Sequence, residues 1–161
     1  MYMHGPHTEE LLVKNGIIVC CDSVKKDSVN PSKHHTGLYN LPLNIIPDHE
    51  HLYHAERTAE WVERWQQRYN WQDDYGSESY YFEQWLDIFK QGVLEREKAG
   101  ITSQILIHPI TIYLAAGVEG LHKIVEFLAG FESSFVTEYV QDYKDKEKSN
   151  VKYLTKFRSR P

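Results

Sequence analysis

Apolar and polar positions along the chain recur on two different periods. Between Tyr80 and Ala99 the residues Phe82, Trp85, Leu86, Phe89 and Val93 return every three or four positions. That spacing predicts an amphipathic helix over 80–99, closed by Gly100. The same period predicts a helix over 118–129, with Val118, Leu121, Val125 and Leu128 facing inward and Gly130 as its stop. Thr8, followed by Glu9 and Glu10 and closed by Gly16, marks a short helix over 8–15. Thr58 caps a helix to about Tyr69 in which Trp61 and Trp65 stand one turn apart, and Thr137 caps another through about Glu147.

The short apolar runs have no helical period. "IIVCC" (Ile17 to Cys21) is β-branched and unbroken, as in a strand covered on both faces. "LYNLPLNII" (Leu38 to Ile46) is a second strand, with Pro42 placing it at an edge or a bulge. "QILIH" (Gln104 to His108) and "SSFVT" (133–137) complete four. The polar segments 22–37, 47–58 and 70–79 are connections. Strands alternating with amphipathic helices imply an α/β fold with parallel strands and right-handed crossovers, either a small open sheet or part of a barrel.

In such folds ligands meet the carboxyl ends of strands. His108 ends "QILIH", and Pro109 stops the ladder there; Asp22 ends "IIVCC". Asp48, His49 and His51 lie just past "LYNLPLNII", and His4 lies before the first helix. These six residues come from different loops that share one rim if the strands are parallel. Each has a plainer role: a strand-end histidine is often a hydrogen-bonded structural residue, and Asp22 followed by Ser23 can cap a turn. "DHEHLYH" (Asp48 to His54) offers imidazoles and carboxylates to a metal, at a spacing that matches no recognised ligand frame. "KHHTG" (Lys33 to Gly37) offers less.

Composition narrows the classes. The chain has 161 residues, 41% of them hydrophobic and 13% aromatic, enough for a real core. A net charge of −5 gives no footprint for nucleic acid, although the tail 148–161 is basic and is read as a solvated terminus or a weak anion contact. Cys20 and Cys21 are adjacent and form no secreted-type framework; with no apolar run of about 18 residues, a soluble cytoplasmic protein is expected. The opening "MYMHGPHTEELL" reads as the middle of a unit, and one domain is expected over 1–147.

"ILIHP", the aromatic helix before it and "YLAAGVEGLHKIVEFLAGF" after it resemble the final third of polysaccharide deacetylases, the NodB-homology group of carbohydrate esterases. "HGPHTEELLVKNGIIVCCD" and "LYNLPLNIIPDHEH" resemble the preceding segments of that family. The resemblance implies half of a distorted parallel β/α barrel of about four strands with flanking helices. It implies that His108 is the catalytic acid, tuned by an aspartate after the strand, with Asp22 the first match and Asp27 the second. It also implies a carbohydrate substrate and a divalent metal such as zinc. The family's Thr-Phe-Asp-Asp strand end and His-x-x-x-His pair, which supply the base and the metal ligands, are not in the sequence. The expectation is a carboxyl-terminal part, inactive alone and completed by an amino-terminal half or a second copy. A non-catalytic α/β module binding a carbohydrate or a protein is the alternative.

Overall fold

The computed structural model describes Gly5 and residues 7–158, with side chains as far as Lys148. Among these residues are six helices and one small three-stranded mixed sheet, a mixed α/β architecture whose residues divide into two units.

The first unit holds the described residues of Met1–Cys21, Asn30–Leu41 and Ser133–Pro161. Helix α1 (Thr8–Lys14) has its acidic residues in the first turn and Lys14 in the last, as the helix dipole favours. Gly16, at φ 81°, then turns the chain toward β1 (Val19–Cys20). The sheet order is β1, β3 (Tyr39–Asn40), β2 (Ser32–Lys33). β1 runs parallel to β3 with Val19 opposite Tyr39, and β2 runs antiparallel to β3 with Lys33 opposite Tyr39. Between β2 and β3 the turn closes through Gly37 N–H donating to His34 O at 2.9 Å, with Gly37 at φ 95°. Helix α6 (Val136–Arg158) lays Val136, Val140 and Tyr143 against Tyr39 and Leu41.

Three expectations change here. The apolar runs over 17–21 and 38–46 yield two-residue strands, with one further isolated bridge at Leu43. β2 lies in the expected loop over 22–37; Ser32 and Lys33 are exposed, so no apolar pattern announces them. The expected strand over 133–137 is absent: Phe135 is exposed, its N–H donates to Glu138 Oε2 at 3.1 Å, and Val136 opens α6. That helix also takes in 148–158, the larger part of the expected tail.

The second unit holds Asp22–Val29 and Pro42–Glu132. Asn44, buried, ties its segments together. Its amide donates to Ser28 O at 2.9 Å and Thr102 O at 3.1 Å, and its Oδ1 accepts Gln104 N–H at 2.7 Å. Helix α2 (Asp48–His51) follows Pro47, and α3 (Ala59–Tyr69) is capped by Thr58, whose hydroxyl accepts Trp61 N–H. Helix α4 (Phe82–Ala99) buries Phe82, Trp85, Leu86, Phe89 and Val93, the expected stripe, and Gly100 ends it at φ 67°. Trp85 is fully buried and its indole donates to Pro47 O at 3.2 Å, which seats the chain just before α2.

Helix α5 (Pro109–Leu128) differs most from expectation. Residues 101–108 form no strand; helix begins at Pro109, directly after His108. Two helical segments meet at Gly117, whose φ of 66° and ψ of −164° no helix interior adopts. The buried residues are Thr111, Ile112, Gly120 and Ile124; of the expected face, Leu121 and Leu128 pack half-buried against the core, while Val118 and Val125 are exposed. Gly120 leaves no room for a side chain: a Cβ there would stand 2.7 Å from Ala116 Cβ and 3.1 Å from the Phe82 ring. The bare backbone lets α5 approach α4 on that side. Gly120→Val is expected to cost about 1–3 kcal/mol through overpacking, read as a lowered urea midpoint at unchanged slope.

Candidate functional site

The polar residues of 47–58 meet the end of the 101–108 segment in the second unit. Pro47, with ψ 153°, delivers Asp48 to the first position of α2, and the side chain is fully buried. His108 holds the N-cap position of α5, with Pro109 at the first helical position. Asp48 grips His108 twice. Oδ2 accepts the His108 backbone N–H at 2.7 Å, and Oδ1 accepts from Nδ1 at 2.7 Å. A carboxylate can only accept, so Nδ1 carries the hydrogen and the ring is locked in one tautomer. Nε2 then bears the lone pair of the neutral ring. No described residue hydrogen-bonds to it, and the side chain is 37% exposed. The result is an oriented, partly exposed imidazole backed by a buried carboxylate.

Two further imidazoles stand beside it. The ring centre of His49 lies 5.6 Å from that of His108 and 5.4 Å from that of His54. His54 Nδ1 donates to Leu52 O at 2.7 Å, which leaves its Nε2 lone pair unused as well.

The sequence candidates separate accordingly. Asp48, His49 and His108 come together. Asp22 is half-buried, but neither hydrogen bond of His108 goes to it; the carboxylate that holds His108 is Asp48, expected only as a substrate contact. Asp27 lies in an exposed turn. His51 is not a surface contact: it is fully buried, with Nδ1 donating to Glu78 O at 2.7 Å and Nε2 3.0 Å from Asp73 Oδ2. As α2 is helical, His51 sits on its inner face, and its ring packs near Trp71 and Tyr75. His4 lies outside the described residues. Nothing in the spacing of "DHEHLYH" shows that His49 lies beside His108 and His54 beside His49, while His51 turns inward.

Among the described residues, no group of three or more His, Cys, Asp or Glu is arranged to hold a metal ion. The described residues therefore supply fewer than the about three protein ligands that a catalytic metal of the kind the resemblance implies calls for. No helix among them is long and apolar enough to cross a membrane.

Behind the site, the Tyr75 hydroxyl donates to Asn44 O at 2.7 Å. Burial, with Asp73, Asp27 and Asp74 nearby, pushes the phenol up to about 12, against a smaller lowering by Arg96. A phenol that ionises near 10 in the unfolded chain and near 12 in the native one keeps its proton longer when folded. Its contribution is complete below pH 10 and is lost as pH rises through about 12. Tyr75→Phe is expected to flatten that alkaline fall, measured as urea midpoint against pH.

No protein-family model, curated protein or solved structure matches the chain.

Proposed function

We propose that this chain supplies the proton-transfer half of a polysaccharide deacetylase-like hydrolase, which removes N- or O-acetyl groups from a carbohydrate. The observation that carries the reading is the double grip of buried Asp48 on His108. With Nδ1–H held by the carboxylate, protonation at Nε2 makes an imidazolium that Asp48 stabilises where it stands. That Nε2–H can pass to the amine or alkoxide leaving the acetyl carbon, and the ring returns to its neutral tautomer. The base and metal motifs of the family are not in this sequence. The complementary groups therefore come from an amino-terminal half or another chain.

The reading includes half of a distorted parallel barrel. The parallel β1–β3 pairing and the parallel bridge between Val24 and Leu43 each support it. A completing partner is supported by the exposed outer face of α5, where Ile110, Tyr113, Leu114, Val118 and Val125 meet solvent. A cytoplasmic setting belongs to the same reading, supported by adjacent Cys20 and Cys21 in an apolar run.

The test is complementation. The chain is mixed with, or fused behind, an amino-terminal deacetylase half that bears the Asp-Asp and His-x-x-x-His motifs. Acetate release from acetylated chito- and xylo-oligosaccharides is then measured. Release that needs both parts supports the proposal; a folded, joined protein that releases none across these substrates overturns it.

A further inference from the structure

We propose that His49 and His108 form a two-imidazole docking point for a divalent transition metal of the zinc class, and that the bound ion blocks Nε2 of His108. The blocking consequence rests on the acid–base reading of His108; the binding itself does not. This ion is distinct from a catalytic metal.

Three observations carry it. First, the ring centres of His49 and His108 lie 5.6 Å apart, with planes inclined at 54°. Two imidazoles on one ion, at metal–nitrogen bonds of about 2.0–2.1 Å and a tetrahedral angle, bring their ring centres about 5 Å apart. His49 is exposed, so its ring is free to turn toward His108 Nε2 on binding. Second, His108 already has the outer support that ligating histidines use. Its Nδ1–H is held by a buried carboxylate, which fixes the tautomer and leaves the Nε2 lone pair for a metal. Third, no described residue hydrogen-bonds to either ring nitrogen of His49 or to Nε2 of His108, so binding breaks no such bond. Imidazole pairs suit zinc, nickel and copper better than magnesium or calcium. Water would complete the coordination sphere of an ion held by two imidazoles.

His54 is the built-in control. Its ring centre is 5.4 Å from His49 on the other pairing, but a carbonyl rather than a buried carboxylate backs its Nδ1. The proposal assigns His49 to His108.

The experiment titrates the 161-residue chain with zinc chloride by calorimetry, and with cobalt(II) by visible absorption. The expected result is saturable binding of one equivalent, with the histidine Hε1 resonances of His49 and His108 shifting in proton NMR. His49→Ala and, separately, His108→Ala are expected to abolish it. Asp48→Asn is expected to weaken it by about 10–100-fold, the usual effect of losing an outer-shell partner, and His54→Ala to leave it unchanged. His49 is exposed, so His49→Ala should fold; circular dichroism checks this, and His49→Gln serves as a second variant. Absence of one-equivalent binding, binding that survives His49→Ala, or equal loss in His54→Ala would overturn the assignment. In the complemented enzyme, zinc beyond the catalytic equivalent should suppress acetate release, and His49→Ala should relieve the suppression. One-equivalent binding by a chain that never supports release would sink the hydrolase reading alone.

Discussion

His108→Ala is expected to lower acetate release by the complemented enzyme about 10²–10⁴-fold, the usual worth of a positioned general acid. The fold should survive, because the side chain is part-exposed and packs at the surface end of α5. Loss should appear in kcat more than in KM, since the proton is delivered only as the leaving group departs. Asp48→Asn makes the sharper variant. It keeps the volume, but its amide cannot accept at both positions where the carboxylate now does, His108 N and His108 Nδ1. One of the two donors then meets an NH₂ group and the tautomer lock is lost. A loss of similar order is expected, with a changed pH profile and with the ring hydrogen no longer confined to Nδ1 in nitrogen-15 NMR. Undiminished release by His108→Ala would sink the catalytic role, whatever the fate of Asp48→Asn.

His51→Leu should be the most destabilising single substitution near the site, costing about 3–5 kcal/mol as expected when one partner of a buried polar pair is removed. Both nitrogens of the fully buried ring face acceptors, the Glu78 carbonyl and the Asp73 carboxylate. Leucine would leave the carbonyl unsatisfied and Asp73, nearly buried, without its partner. Asp73 also holds the turn that follows, with Oδ1 accepting Tyr75 N–H at 2.7 Å and its backbone exchanging two hydrogen bonds with Gly76. The whole 71–79 connection should loosen. The check is the urea midpoint at unchanged slope, together with faster amide exchange at Tyr75 and Gly76 than in wild type. A change within about 0.5 kcal/mol, the range of ordinary surface substitutions, would show that the pair is not a determinant of the fold.

The sequence by itself determined the helices whose apolar faces are forced. The α4 stripe could bury only one way, and Thr58 and Gly100 stand where a cap and a left-handed stop are chemically favoured. It also marked the end of "QILIH" as a boundary, because Pro109 cannot extend a ladder or enter a helix interior, and His108 is the N-cap of α5. Tertiary structure alone decided three things. It decided how α5 turns inward: the backbone breaks at Gly117, Gly120 and Ile124 are buried beside half-buried Leu121 and Leu128, and Val118 and Val125 are left exposed. It decided that the run at 104–108 stays without a ladder, and that exposed Ser32 and Lys33 join one, because strand pairing is a property of the partner as much as of the segment. And it decided which carboxylate serves His108. Asp22 and Asp48 are equivalent in type, and their distances along the chain carry no information about space. Asp48 serves because Trp85 and the buried Pro47 turn seat α2 beside the residue at position 108.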